Sequence, residues 1–194
     1  MRKDILLIKN RIEESIEIKK KLLADEILIH QVNKASEIMI DCLRRGGRIY
    51  LCGNGGSASD AMHIAGELVG RFQMERRALP AMALNADVVS LTAISNDYDY
   101  DAVFERQVDG VFYATDVLVG ISTSGSSENI KRAIIKAGEI GGRTIAFLGR
   151  DGGSIKEVAE CPIVVPSDVT ARVQEVHILI GHILCEIVED ELFG

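Results

Sequence analysis

The sequence predicts an α/β fold, in which a doubly wound sheet of five parallel strands is flanked by helices and preceded by an N-terminal helical extension. From residue 48 onward, short apolar runs alternate with segments of helical periodicity, as a parallel sheet with crossover helices requires. The chain contains only three prolines, and we find no internal repeat or linker. Its 194 residues are enough for a single domain with a full core.

Two helices are predicted between residues 3 and 46, where apolar residues recur at helical spacing and a break falls near Asp25. Two arginines followed by Gly46 indicate the end of the second helix, because cations stabilise its last carbonyls and glycine lets the chain leave it. We therefore divide the chain into N-terminal helices, residues 1–46, and an α/β unit, residues 47–194.

The remaining elements follow in chain order. Strands are predicted at residues 48–52, 81–84, 117–121, 144–148 and 161–165. Helices are predicted at residues 57–70, 87–95, 101–111, 127–140 and 153–158, with a last long helix at 170–192. Ligands of such sheets bind at the carboxyl ends of the strands, so the segments after the strands are where a site is expected.

Composition and charge predict a cytoplasmic protein that binds neither nucleic acid nor a membrane. The net charge of -7 repels polyanions, and we find no convincing basic patch. The sequence has no apolar run of the roughly 18 residues that a membrane span needs and no apolar signal segment near its start. Because Cys42, Cys52, Cys161 and Cys185 lack paired spacing, we expect buried free thiols rather than a metal site.

Two loops rich in glycine and serine follow the first and third predicted strands. They are residues 53–59, GNGGSAS, and residues 119–127, VGISTSGSS, and each leads into a helix. Serine hydroxyls, free backbone N–H groups and the positive end of a helix suit a phosphate monoester. Ordinary helix capping is the alternative. Neither loop has the glycine spacing of nucleotide-binding motifs, so a small phosphorylated metabolite is expected rather than ATP or NAD.

Four polar side chains on two predicted helices could carry chemistry. His63 and Glu67 share one helix face, so they could divide proton transfer or hold a divalent metal; an ordinary surface pair is the alternative. Gln174 and His182 are separated by about 12 Å of helix rise, which is near the limit of their reach toward one ion. For His182, a satisfied core histidine is the alternative. His177 points elsewhere and is expected to be structural.

Four segments of the chain together resemble the phosphoheptose isomerases, a family of the sugar-isomerase (SIS) domain group. In order, they read GNGGSASDAMHIAGELVGRF from residue 53, AISND from 93, GISTSGSS from 120 and TARVQEVHILIGH from 170. The resemblance implies that sedoheptulose 7-phosphate and D-glycero-D-manno-heptose 7-phosphate interconvert, as the first step toward the ADP-heptose of lipopolysaccharide and other bacterial surface glycans. It also implies a homotetramer with active sites where subunits meet, in which residues 1–46 pack between chains.

The resemblance also assigns residues to roles by position. It implies substrate contacts from Asn54, Gly55, Gly56, Glu67, Asn96, Asp97, Ser122, Thr123, Ser124, Ser127 and Gln174, with the serine-rich loop taking the phosphate. In members that bind zinc, it implies one ion per subunit held by His63, Glu67, Gln174 and His182. One departure concerns Ala171, since some members carry an aspartate there; any contact of that carboxylate with the sugar is lost or supplied elsewhere.

Aldose–ketose isomerisation moves a proton between C1 and C2 through an enediol, which needs a base and an acid on the enzyme. We expect Glu67 to be the base and His182 the opposite acid or base. A Glu67 that also ligates zinc would be a poorer base, so its two roles compete and stay open.

The alternative function is that of a non-enzymatic member of the same group, which binds the bacterial replication initiator. It shares the tetramer and the glycine-rich loop, but a scaffold does not need both Glu67 and His182. A sugar-phosphate-sensing regulator would need a segment that reads DNA, and we see none. Related isomerases of pentose phosphates usually carry extra domains, for which 194 residues leave no room.

Overall fold

Five parallel strands form one sheet in the computed structural model, which describes residues 3–194. The strands are β1 (Ile49–Gly53), β2 (Ala81–Ala83), β3 (Val117–Ser122), β4 (Arg143–Gly149) and β5 (Cys161–Val165). Their order is β2-β1-β3-β4-β5, so consecutive strands add first to one side of β1 and then to the other. The predicted doubly wound α/β fold is confirmed.

Seven α-helices surround the sheet within the described residues. They are α1 (Lys3–Ala24), α2 (Glu26–Arg44), α3 (Gly56–Val69), α4 (Val88–Asp97), α5 (Val103–Val111), α6 (Glu128–Ile140) and α7 (Thr170–Phe193). Asp25 separates the first two, as predicted, and its side chain caps α2 by accepting the N–H of Leu28 at 3.0 Å. Polar capping of this kind stabilises a helix start by about 1 kcal/mol.

The predicted helix at residues 153–158 is wrong. Only a single 3-10 turn forms there, at Gly153–Ile155. Gly152 and Gly153 both have a positive φ, 94° and 51°, which glycine adopts readily and which an α-helix excludes. The predicted helix at 101–111 is shorter than expected, because a 3-10 turn at Tyr100–Ala102 precedes the α-helix, which begins at Val103.

Alternation along each strand divides the core between the two faces of the sheet. In β1, Ile49 and Leu51 join a cluster that α2, α3 and α7 cover, whereas Tyr50 and Cys52 join a second cluster beneath α5 and α6. Successive side chains of a strand point to opposite faces, so a central strand must be apolar throughout. All five residues of β1 are buried accordingly.

The two N-terminal helices differ in how much they bury. Residues of α2 from Leu28 to Leu43 belong to the same core cluster as α3 and α7. In α1, by contrast, Leu22 is the one buried residue, and several apolar side chains are exposed: Ile5, Leu6, Leu7, Ile8, Ile12 and Ile16. The assignment of residues 1–46 to a separate unit that packs in an oligomer stays a prediction, and residues 1 and 2 lie outside the described residues.

Burial also sets the protonation state of the cysteines and of His177. The four cysteines are free and buried, as predicted, and burial raises the pKa of Cys161 to about 11 and that of Cys42 to about 12. His177 is fully buried with its Nε2 3.1 Å from the carbonyl oxygen of Leu148, the residue before the end of β4. Burial lowers the pKa of His177 to about 4, so a neutral imidazole fastens α7 to the sheet.

A buried ion pair joins the ends of α3 and α7. The carboxylate of Glu189 accepts the backbone N–H groups of residues 72–74 at 2.7–3.0 Å and the Nε of Arg76 at 2.8 Å. Arg76 in turn donates to the carbonyls of Glu67 and Leu68, where α3 ends. Burial acts to raise the pKa of Glu189, but these donors outweigh it and hold the pKa below its ordinary value.

None of the helices within residues 3–194 combines the length and the apolar content that crossing a membrane would require.

Replacement of Glu189 by glutamine should lower the free energy of unfolding by about 3 kcal/mol. The side chain keeps its shape, but it loses its charge and turns an N–H group toward donors. The matched control is Glu191→Gln on the same helix. Glu191 pairs with Arg44 at the surface, with half of each side chain exposed, and such pairs contribute at most about 1 kcal/mol.

Urea unfolding of both variants at one protein concentration measures the difference. Equal losses of stability in the two variants would show that the buried pair is not what joins α3 to α7.

Candidate active site

The carboxyl ends of β1 and β3 lie side by side at the switch point of the sheet. Gly53, which ends β1, pairs with Ile121, and Ser122 ends β3 one residue later. Sheets of this strand order bind ligands in the crevice at that point. Both predicted loops therefore open at the same position on the sheet edge.

Asn85 holds the start of the first loop in place. Its side-chain oxygen accepts the N–H of Gly53 at 3.1 Å, and its Nδ2 donates to the carbonyl of Gly53 at 2.7 Å. On this side of β1, the neighbouring strand β2 ends opposite Leu51 and does not reach Gly53, so an amide side chain replaces the ladder. Asn85 lies in the 3-10 turn that follows β2.

The serine-rich loop is organised around the buried hydroxyl of Ser122. Its Oγ lies 3.0 Å from the Oγ of Ser127 and accepts the N–H of Gly125 at 3.2 Å. Ser124 accepts from the N–H of Ser126 at 3.3 Å. Ser122 is only 3% exposed, so in this arrangement its hydroxyl supports the loop from below. Its predicted contact with substrate stays a prediction, as do those of Thr123, Ser124 and Ser127, which are partly exposed.

The turn at residues 152–155 supports the same loop from behind. The N–H of Ile155 donates to the carbonyl of Gly125 at 2.9 Å. A Cβ on Gly125 would lie 2.2 Å from the carbonyl oxygen of Gly152, and Gly125 also has a φ of +68°. Neither Gly125 nor Gly152 tolerates a side chain. The same glycines that abolish the predicted helix, Gly152 and Gly153, therefore allow the serine-rich loop to pack closely.

Glycines let α3 and α7 approach each other closely. A Cβ on Gly56 would lie 2.1 Å from the Nε2 of Gln174, so the glutamine amide occupies the space that a side chain would fill. Further toward the C-terminal ends of both helices, a Cβ on Gly181 would lie 2.6 Å from the Cδ1 of Ile64. Gly56 precedes Ile64 in α3, and Gln174 precedes Gly181 in α7, so the two helices run in the same direction.

The same contact brings together three of the predicted polar residues. His63 Nε2 lies 3.1 Å from Glu67 Oε1 and 3.2 Å from the Nε2 of His182. Phe72 stacks on the imidazole of His182, with ring centroids 5.5 Å apart and planes 25° apart. His63 is half exposed and Glu67 is about one quarter exposed, so a small molecule can reach the cluster.

This cluster suits a zinc ion in both its chemistry and its dimensions. Imidazole nitrogens and a carboxylate oxygen are common zinc ligands. Ligand atoms of a tetrahedral zinc site lie about 3.3 Å apart, close to the two separations in the cluster. All three ligand atoms lie within 4.8 Å of one another. The amide of Gln174, the fourth predicted ligand, lies next to Gly56 near the start of α3, and its role as a ligand stays a prediction.

The predicted sugar-binding residues lie on separate elements. Asn54 follows β1, and its amide is hydrogen-bonded to Asn129 and to Tyr100. Asn96 and Asp97 end α4 and are exposed, with a hydrogen bond of 3.0 Å between their side chains. None of these roles is tested, and they stay predictions. Gly55 and Gly56 lie exposed at the start of α3.

Sequence reasoning did not single out several residues that shape the site. Phe72 lies within a quoted segment, two residues after Gly70, where α3 ends. That position could have indicated that the chain turns back toward α3. Arg76 and Glu189 are 113 residues apart, and no local pattern relates them. The same holds for Asn54 and Asn129, which are 75 residues apart.

Comparison with known proteins relates the whole chain to one family. The family model of the SIS domain matches residues 12–149. Phosphoheptose isomerase of Clostridium acetobutylicum is 54% identical over 187 residues, which cover 96% of this chain and 95% of that protein. The structure of a phosphoheptose isomerase from Francisella tularensis has a TM-score of 0.92 and 36% identity, and covers 97% of this chain and 100% of that chain.

A second solved structure, of phosphoheptose isomerase from Neisseria gonorrhoeae, gives a TM-score of 0.88 at 43% identity. It covers 94% of this chain and 97% of that chain. The resemblance inferred from the four sequence segments is confirmed along nearly the full length.

Zinc binding should depend on the two clustered histidines. Replacing His63 or His182 by alanine removes one of three clustered donors, and we expect zinc affinity to fall by more than about 100-fold, beyond the loss typical of outer-shell partners. Competition with a chromophoric chelator measures the affinity on the full chain. His30→Ala, which changes an exposed histidine of α2, is the matched control and should bind zinc as tightly as the unaltered protein. Equal affinity in His182→Ala and His30→Ala would exclude this cluster as the zinc site.

Proposed function

The chain belongs to the phosphoheptose isomerase family of SIS-domain proteins, and on that premise we propose that it is an aldose–ketose isomerase that converts sedoheptulose 7-phosphate into D-glycero-D-manno-heptose 7-phosphate. The reaction would supply the first heptose phosphate for ADP-heptose and for surface glycans such as lipopolysaccharide. We further propose that it acts in the cytoplasm, in keeping with the composition and charge of the chain.

The convergence of Glu67 and His182 on His63 is the observation that carries this proposal. Two helices that start 114 residues apart in sequence place a carboxylate and two imidazoles within 4.8 Å of one another. Moving a proton between C1 and C2 of a ketose needs an acceptor at carbon and an acid–base group at oxygen. A carboxylate and an imidazole are the side chains that most often serve these roles near neutral pH.

Glu67 is the proposed base. Its side chain is about one quarter exposed, and its charge helps to raise the pKa of the buried thiol of Cys185. Arg76 fixes the backbone of Glu67 by donating to its carbonyl at 2.9 Å. A carboxylate on a fixed backbone can take the proton from one carbon and return it to the next without moving far.

His182 is the proposed acid–base partner at the sugar oxygens. The stacked ring of Phe72 and the nearby Nε2 of His63 hold its imidazole in one plane. A zinc ion at this cluster would polarise the carbonyl and hydroxyl oxygens of the sugar as a Lewis acid. Because Glu67 would then also serve as a ligand, the balance between its two roles sets how basic its carboxylate stays.

The serine-rich loop is the proposed phosphate site. Its backbone N–H groups and the start of α6 offer donors to an anion, beside the carboxylate of Glu128, the first residue of the helix. Ser124 and Ser127 keep partly exposed hydroxyls, which could add two donors to phosphate oxygens. Binding of the phosphate at the end of β3 would place the carbon chain along the neighbouring end of β1.

No observation on the described residues favours the alternative of a non-enzymatic scaffold. A scaffold has no use for a solvent-accessible carboxylate beside two imidazoles, because such a cluster supplies acid–base chemistry rather than a binding surface. The isomerase proposal accounts for the cluster directly.

We propose a homotetramer, with active sites where subunits meet, as the working form. The support is the apolar surface of α1, where Ile8 is 59% exposed and Ile12 is 56% exposed. Exposed apolar side chains in such number on one helix are typical of an interface. Ile8→Asp with Ile12→Asp should reduce the mass in light scattering from about four chains to fewer, whereas Lys9→Asp should change it less. A monomeric unaltered protein would contradict the proposal.

Glu67→Gln should lower kcat/KM for sedoheptulose 7-phosphate by roughly 10²- to 10⁴-fold, the range expected for loss of a general base. The assay follows aldose formation with and without a chelator, so that it tests substrate, reaction and metal together. Glu139→Gln is the matched control, because Glu139 is an exposed carboxylate at the end of α6 that pairs with Lys136. Full activity in Glu67→Gln would refute the proposed base, and no turnover by the unaltered protein would refute the substrate.

A further inference from the structure

Asn129 and Tyr100 lie outside the residues that the family resemblance assigns, yet both are hydrogen-bonded to Asn54. We infer that they are positioning residues that lock the amide of Asn54 in one orientation, so that it offers the substrate an N–H donor and no acceptor. The inference rests on the proposed function, because it assumes that Asn54 faces a sugar phosphate.

The orientation of the two amides follows from one backbone group. The N–H of Ile130 can only donate, and it lies 3.0 Å from the Oδ1 of Asn129. That contact identifies the oxygen of Asn129. The Asn54 atom that faces this oxygen at 2.9 Å must then be its nitrogen, and the Nδ2 of Asn129 faces the Oδ1 of Asn54, also at 2.9 Å. The two amides thus form a cyclic pair with two hydrogen bonds.

Tyr100 completes the set of partners of the Asn54 oxygen. Its hydroxyl donates to that Oδ1 at 2.9 Å. A carbonyl oxygen of an amide has two lone pairs, and Asn129 and Tyr100 now use both. Of the two N–H groups of Asn54, one bonds Asn129 and the other is left for a ligand. The amide can therefore recognise an oxygen lone pair of the sugar and cannot accept from a hydroxyl.

The same pair connects the two loops of the site. Asn54 belongs to the loop after β1, whereas Asn129 is the second residue of α6, directly after the serine-rich loop. Asn129 is 2% exposed, and a buried amide that lost its partner would leave polar groups unsatisfied. The pair therefore fixes the spacing between the proposed phosphate site and the proposed sugar site, and the loops cannot shift independently.

A fixed donor at this position suits the proposed chemistry. Negative charge develops on a sugar oxygen as the proton leaves carbon, and a donor that is already oriented stabilises such an oxygen without reorganisation. If the amide could flip, its carbonyl would repel the same oxygen. Tyr100 and Asn129 thus act through Asn54 rather than on the sugar itself.

A double-mutant cycle in catalysis tests this inference. Tyr100→Phe removes only the hydroxyl, and we expect kcat/KM for sedoheptulose 7-phosphate to fall roughly 3- to 10-fold, the effect of one hydrogen bond. In an Asn54→Ala background the same change should cost less than about twofold, because its target is gone. Tyr113→Phe, an exposed tyrosine in the turn before β3, is the matched control and should match the unaltered protein.

Two results would overturn the inference. Unchanged kcat/KM in Tyr100→Phe would show that the hydroxyl does not position Asn54. An equal loss in both backgrounds would show that Tyr100 acts on the substrate directly or on the fold.

A second double-mutant cycle tests the amide pair without any substrate, so that failure of this inference can be told apart from failure of the proposed function. Asn54→Ala, Asn129→Ala and the double variant are unfolded in urea. The amide pair predicts a coupling of roughly tenfold in the unfolding equilibrium constant. Additive effects would overturn the pairing, whereas strong coupling in a protein that does not turn over sedoheptulose 7-phosphate would retain the pairing and reject the substrate.

Discussion

The close parallel contact between α3 and α7 is the constraint on which the rest of the candidate site depends. Gly56 and Gly181 remove the side chains that would hold the helices apart, and the buried Arg76–Glu189 pair joins their far ends. The distance between two packed helices depends on the side chains at their contact, so these small residues help to set how near His182 lies to His63 and Glu67. Placement of the imidazole is thus a consequence of helix packing.

The sheet supplies the second half of the site by a different route. Parallel strands put all their carboxyl ends on one edge, and the order of β1 and β3 puts two polar loops at the switch point. Where the strand ladder ends, side chains supply the hydrogen bonds that a neighbouring strand no longer provides. Asn85 satisfies the last backbone groups of β1, and the Asn54–Asn129 pair holds the two loops together. Amide side chains carry donor and acceptor on one rigid group, which suits this task.

Local patterns were sufficient to predict most elements, since all five strands and most helices lie within a few residues of their predicted positions. The failure at residues 153–158 has a local cause, because two left-handed glycines override an otherwise helical pattern. The chemistry-bearing residues His63, Glu67 and His182 were also recognisable, by spacing within a helix and by resemblance. Their mutual distances were not predictable, because no pattern within one helix fixes the separation between two.

The sequence by itself determined the fold class, the two polar loops and the identity of the residues that could carry proton transfer. Apolar periodicity and the choice of glycine and serine act over a few residues, so they can be interpreted one segment at a time. Only the tertiary structure decided that Gln174 contacts Gly56, that Ser122 lies beneath its loop and that Asn129 orients Asn54. These contacts join residues 75 or more positions apart or depend on burial, and both arise only when the elements pack.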